Sequence, residues 1–183
     1  MFITSPLTEE HHFRQALERV QRRWGTVDIV INLADQPCLG LFETSNDADW
    51  RWTFERNLLT VVHGCKAAIS VMKRQGSGHL LNITTQAARL PQTNLALTSS
   101  LQGAVVTLSE TLQAELAPLN IRVQLACVDF FDGFVSGEPR AQTPLDSARF
   151  ERMQNHGLSS DQIAARIINR LSKKNFLILT HQE

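Results

Sequence analysis

Tyrosine is absent from all 183 residues. Chemistry that needs a phenol to give or take a proton therefore has no group here to carry it. An excess of one charge is absent as well, since 18 Lys and Arg balance 18 Asp and Glu. Without a basic stripe, no nucleic-acid partner and no anionic membrane surface is expected. No apolar run approaches the length of a membrane span, and the opening residues MFITSPLTEE lack the basic start and apolar stretch of a signal peptide. A cytoplasmic location is the resulting expectation. Cys38, Cys65 and Cys127 are odd in number and widely spaced in apolar contexts, which excludes a disulfide framework and predicts reduced, buried thiols. His11 and His12 are adjacent on a predicted helix and point to different faces, so no metal site is expected. No G-x-S-x-G elbow and no G-x-x-x-G-x-G turn occurs, and the close glycines Gly76 and Gly78 read as a turn between a helix and a strand.

What is present is a core. Hydrophobic residues make up 43% of the chain, enough for one globular domain over residues 1–183. Thr8, Glu9 and Glu10 open a helix in which Phe13, Leu17, Val20 and Trp24 recur at helical spacing, and Gly25 closes it. Val27 to Leu33 is a nearly continuous, β-branched run that suits a strand covered on both faces. Ser45 or Asn46 caps a long helix through Arg74, followed by a strand at His79 to Thr84. Leu97 to Ala117 reads as a helix, Ile121 to Val128 as a strand, and Phe130 to Leu158 as an irregular stretch. Ser159 or Ser160 caps a last helix ahead of the strand Phe176 to Leu179. Strands alternating with helices of this length imply an α/β, three-layer, doubly wound parallel sheet, whose ligands sit beyond the C-terminal strand ends. The loops after Leu33, Thr84 and Val128 are therefore the places to search. Asn82-Ile83-Thr84 matches a glycosylation sequon but lies in a predicted buried strand. Asp129 and Asp132, with Phe130 and Phe131, could form a pocket wall.

Those loops carry a resemblance. GTVDIVINLAD resembles the short-chain dehydrogenase/reductase stretch G-x-[IL]-D-x-[LV]-V-N-N-A-G, and ERNLLTVVHGCKAAI resembles the helix with the family's catalytic Asn, here Asn57. GSGHLLNITTQAA resembles the segment ending in the catalytic Ser, here Thr85. SSLQGAVVTLSETLQAELAPLNIRV resembles the helix after the catalytic Tyr and the strand beyond it. The likeness implies an incomplete Rossmann-like sheet in which the Gly-rich turn and first two family strands lie ahead of this sequence, with Met1 to Thr4 a remnant strand. The strand at Asp28 to Leu33 would then be an open edge, covered either by Met1 to Thr4 or by another chain; a third expectation is that the reading frame is part of a longer gene.

The same resemblance places the family's catalytic Tyr and Lys at Thr98 and Gln102. An aliphatic alcohol beside an uncharged amide cannot replace a phenol tuned by an ammonium group. Asn57 and Thr85 keep the positioning half of the tetrad. The relic cofactor positions are Asn32, Ala34, Asp35, Val128 and Asp129, with Gly133 at the place of a common Thr. NAD(P) is the cofactor the resemblance implies, yet carboxylates at Asp35 and Asp129 would repel it, so no cofactor is expected for this chain. The leading expectation is a degenerate family member acting by association with itself or with an intact relative. That association would use helices 49–74 and 97–117, through Val61 or Val62, Cys65, Leu101, Val105, Leu108 and Leu112. The alternatives are an NAD(P)-dependent oxidoreductase completed by a preceding segment, and a small-molecule binder using the pocket near Thr85, Asp129 and Phe131.

Overall fold

A computed structural model describes residues 9–90, 92–129, 140–154 and 158–181. Helix α1 (Glu10–Trp24) carries Glu10 in its first turn, Arg22 and Arg23 in its last, and ends at Gly25 with φ +86°. Charges of that order complement the helix dipole, and the left-handed terminus explains the glycine. Strand β1 (Ile29–Leu33) and the short β2 (Cys38–Leu39) lead to α2 (Asp47–Thr53), a π-helical turn at Phe54–Leu59, and α3 (Thr60–Gln75). Asn46 caps α2 in a reciprocal pair with Asp49, each side chain accepting from the other's backbone N–H. Strand β3 (Gly78–Thr85), α4 (Ala96–Leu116) and β4 (Ile121–Val128) follow. Next come β5 (Arg140–Ala141), α5 (Pro144–Gln154), α6 (Ser160–Leu171) and β6 (Leu177–Leu179). Ser159 is the cap of α6, paired with Gln162.

The main sheet runs β1-β3-β4-β6, all parallel, while β2 and β5 form a separate parallel pair. Side chains alternate across the pleat. Leu80 of β3 and Ile121, Val123, Leu125 and Cys127 of β4 face α3 and α4, packing with Val61, Cys65, Ala68, Met72 and Val105. Leu81, Ala126, Val128 and Ile178 pack with Ile163 and Ile167 of α6 on the opposite face. This is the three-layer, doubly wound architecture expected, with a sheet of four strands. Among the described residues no helix is long and apolar enough to cross a membrane.

Four expectations need correction. β1 is covered on one face only: Ile29, Ile31 and Leu33 are 48%, 49% and 55% exposed. Among the described residues that face of β1 is left about half open. The long helix after Asn46 is interrupted by the π-helical turn, where Asn57 Nδ2 donates to the Thr53 carbonyl that such a turn releases. The span from Phe130 to Leu158 is not wholly irregular, since it contains β5 and α5. Finally, Val61, Cys65, Leu101 and Val105 belong to the buried interior rather than to an outer face, because α3 and α4 turn these residues toward the sheet. Val62, Leu108 and Leu112 remain half-buried. Met1 to Thr4 and the cap at Thr8 lie outside the described residues.

Candidate functional site

The C-terminal ends of β1, β3 and β4 bring most of the relic positions into one region, and hydrogen bonds show how each is used. Asn57, fully buried on the π-helical turn, accepts from Gln36 N–H at 2.7 Å and donates to the Gln36 carbonyl at 3.0 Å. Its amide thus fastens the chain leaving β1 to the helix. Thr98, 3% exposed on α4, makes a matching pair with β2: its Oγ1 accepts from Cys38 N–H at 3.0 Å and donates to the Cys38 carbonyl at 3.1 Å. Both hydroxyl functions are occupied by backbone.

Gln102, one helical turn further and 1% exposed, is held as firmly. Its Oε1 accepts from Thr84 Oγ1 at 2.5 Å, while its Nε2 donates to Asp35 Oδ1 at 3.1 Å and to the Ala34 carbonyl at 3.4 Å. A chain of polar groups therefore runs from β3 through α4 to the end of β1. Burial raises the Asp35 carboxyl to about 7, although the bond from Gln102 pulls the other way. Removing a carboxylate from water disfavours its charge, and one amide donor does not restore what water supplied. Asp35 as a residue keeps partial exposure while its carboxyl is enclosed against Gln102.

Asn32 stands apart from this group. It points toward α3, where its Nδ2 donates to Asn82 Oδ1 at 2.8 Å and contacts Cys65 Sγ at 3.4 Å. Asn82, the sequon residue, is fully buried and passes the chain on to Ser109 Oγ at 2.9 Å. Val128 is core and pairs in register with Thr85, and Asp129 N–H donates to His181 Nδ1 at 3.2 Å. Asp132, Phe130, Phe131 and Gly133 lie outside the described residues. Burial pushes the Cys65 and Cys127 thiols up to about 11 and Cys38 in the same direction, so none is a ready nucleophile.

Thr85 is different from its neighbours: 2% exposed, its Oγ1 has no hydrogen-bond partner among the described residues. A buried unpaired hydroxyl costs stability, so Thr85→Val is expected to be neutral or to stabilise by about 1 kcal/mol in chemical denaturation. A loss above that amount would show that the hydroxyl has a partner. Sequence reasoning missed Thr84, Gln36 and Cys38, the groups that occupy Gln102, Asn57 and Thr98. Thr84 carries no signal beyond adjacency to Thr85, and Gln36 and Cys38 act partly or wholly through backbone atoms, which a motif does not record.

A parallel, doubly wound sheet with a polar cluster at its strand ends is a Rossmann-like architecture. The family model of the short chain dehydrogenases matches residues 1–143, and the chain belongs to that family. A 2,3-dihydro-2,3-dihydroxybenzoate dehydrogenase of Bacillus subtilis (strain 168) is 31% identical over 107 residues, covering 58% of this chain and 41% of that protein. A 3-ketodihydrosphingosine reductase of Mus musculus is 26% identical over 160 residues, covering 87% of this chain and 48% of that protein. The chain spans about half the length of these relatives. A short-chain dehydrogenase/reductase of Burkholderia phymatum, solved in complex with NAD, superposes with a TM-score of 0.89 at 21% identity, over 99% of this chain and 70% of that one. The likeness establishes the shared fold.

The strand-end residues described here do not fit a nicotinamide dinucleotide. The Gln102 amide is turned to Asp35 and Thr84, and the Asp35 carboxyl is enclosed with no cation bonded to it among the described residues. Asn32 is spent inside the core. A diphosphate is held by N–H groups or cations, and the side chains of Asn32, Asp35 and Gln102 are engaged with one another's surroundings instead.

Proposed function

We propose that this chain is a member of the short chain dehydrogenase family in which the proton-transfer positions have become structural, and that it acts by associating with itself or with an intact relative rather than by redox turnover. The observation that carries the reading is the occupation of Thr98 by both backbone groups of Cys38, together with the occupation of Gln102 by Asp35 and Thr84. A hydroxyl buried and doubly bonded to backbone is not free to exchange a proton with a substrate oxygen, and among the described residues no cation bonds to it. Association is supported by the half-buried Val62, Leu108 and Leu112 of α3 and α4.

The reading is tested by restoring the missing groups. Thr98→Tyr combined with Gln102→Lys is expected to give no NADH- or NADPH-dependent reduction of a panel of aldehydes and ketones. The larger side chains would enter volumes enclosed by Cys38 and Asp35, and overpacking there is expected to destabilise the protein by about 1–3 kcal/mol. Turnover by the double variant would overturn the reading. Turnover by the unaltered chain that is lost in Thr85→Ala would do so more directly.

The second reading is an NAD(P)-dependent oxidoreductase acting on an alcohol or carbonyl. The dehydrogenase and reductase names of the relatives favour it, as do the retained Asn57 and the unpaired buried hydroxyl of Thr85. It requires a proton donor other than a tyrosine of this chain, because there is none.

A further inference from the structure

We infer that Asp35 and Gln36 form a proton-controlled flap, closed on Gln102 and Asn57 while the Asp35 carboxyl carries its proton and released to water when that proton leaves. The flap rests on the reading above of Asn57, Thr98 and Gln102 as groups that fasten the chain, and it adds a condition under which one of them lets go.

All three of these side chains hold the same short segment. Gln102 Nε2 donates to the Ala34 carbonyl at 3.4 Å and to Asp35 Oδ1 at 3.1 Å. Asn57 holds both backbone groups of Gln36, at 2.7 and 3.0 Å. Thr98 holds both backbone groups of Cys38, at 3.0 and 3.1 Å. Beyond these bonds the two ends of the segment are anchored by strands. Leu33 ends β1 in register with Ile83 of β3. On the other side, Arg140 N–H donates to the Pro37 carbonyl at 3.1 Å, and Cys38 pairs with Arg140 across β2 and β5. Asp35 and Gln36 lie between these anchors in no strand, and they are half-buried where Ala34, Pro37 and Cys38 are buried.

Asp35 is the member whose hold depends on a proton. Its carboxyl is enclosed and accepts from Gln102 alone among the described residues. The charged groups around this end of the sheet are Glu55 and Arg56 on the π-helical turn, Arg89 beyond β3, Asp129 after β4 and His181 after β6. On α4 no charged residue precedes Glu110, and the His63 ring of α3 lies against Phe13 at 6.5 Å. None of these groups forms an ion pair or hydrogen bond with Asp35 among the described residues. Burial accordingly lifts the carboxyl to about 7. An ionised carboxylate with a single amide donor gains by reaching water. Its outward movement breaks both Gln102 bonds and draws the adjoining Gln36 off Asn57, while Thr98 and the β2–β5 pair keep Cys38 in place. The open form binds one proton fewer, so rising pH favours it, by about tenfold per pH unit up to about pH 7 and no further above that.

Amide hydrogen exchange of the full chain, followed by NMR and corrected for the intrinsic effect of pH on exchange, reads the flap and its anchors residue by residue. The Gln36 N–H is expected to lose protection by about tenfold per pH unit between pH 5 and pH 7 and to level off by pH 8. At every pH it is expected to be at least tenfold less protected than the Cys38 and Leu125 N–H groups, which report the anchored end and β4. Asp35→Asn is expected to keep Gln36 at its pH 5 protection throughout. A pH-independent Gln36 in the parent chain, or the same loss in Asp35→Asn, would overturn the inference. So would protection of Gln36 equal to that of Cys38 and Leu125, because the segment would then open only with the whole fold, and this comparison needs no variant. Any of these failures leaves the bonds of Thr98 and the proposed function standing, whereas redox turnover removes the proposed function without altering the exchange pattern.

Discussion

Asp35→Asn is expected to stabilise the protein at pH 8 and to abolish a decline in stability between pH 4 and pH 7 that the parent chain shows. Burial holds the enclosed carboxyl at about 7 in the folded chain, against the ordinary carboxylate value of 3.8 when it is exposed. Below that lower value both states are protonated and the residue has no effect. Between the two values the folded state holds a proton that the unfolded state has released, so rising pH favours unfolding. Above about 7 both are ionised, and the folded state bears the full cost of an enclosed charge. The gap corresponds to about 4 kcal/mol as an upper bound, which the partial exposure of the residue reduces. Asparagine keeps an oxygen to accept from Gln102 without the charge. Denaturation of both proteins at several pH values measures the difference, and parallel curves would show that water reaches the carboxylate.

Gly64→Ala is expected to be among the most damaging single-methyl changes in the chain. Gly64 lies on the buried side of α3, and a Cβ built there runs into the Asn32 side-chain amide, Oδ1 and Cγ both inside contact distance. Asn32 cannot yield without breaking its bond to Asn82, which in turn holds Ser109. Overpacking of about 1–3 kcal/mol and the exposure of buried donors to an unbonded state, again about 1–3 kcal/mol, act together. Alanine's better helix propensity returns about 1 kcal/mol. A net loss near 3 kcal/mol lowers the melting temperature of a domain this size by roughly 10 °C. Asn32→Ala removes the obstacle, so the double variant should be less destabilised than the sum of the two. Strict additivity would show that the glycine and the asparagine are not in conflict.

The elements legible in the sequence are those whose signal is local. Gly25 and the periodic Leu17 and Val20 mark α1, the side chains of Asn46 and Ser159 accept from backbone three residues on, and β4 follows its apolar run from Ile121 to Val128. Elements defined by partners far away were not legible. β2 and β5 are two residues each and exist because Cys38 pairs with Arg140 and Leu39 with Ala141. The interior role of Val61, Cys65, Leu101 and Val105 depends on which side of α3 and α4 the sheet lies, which helical spacing alone leaves open. At the site, the positions Thr98 and Gln102 were found by resemblance, but their use was not. A threonine in a motif position looks the same whether its hydroxyl meets a substrate or Cys38. The link between Asp35 and Gln102 joins two departures from the family pattern that are far apart in sequence, and only the fold sets them 3.1 Å apart.

The central claim is that the catalytic positions of this family member hold its structure together and move no protons. Titration of the purified chain with NADH and NADPH, followed by fluorescence, with carbonyl turnover assayed on the same sample, tests it most directly. No saturable binding and no cofactor oxidation above the protein-free rate are expected. Saturable binding accompanied by turnover would contradict the account and would mean that Thr85 and Asn57 still serve a working active site.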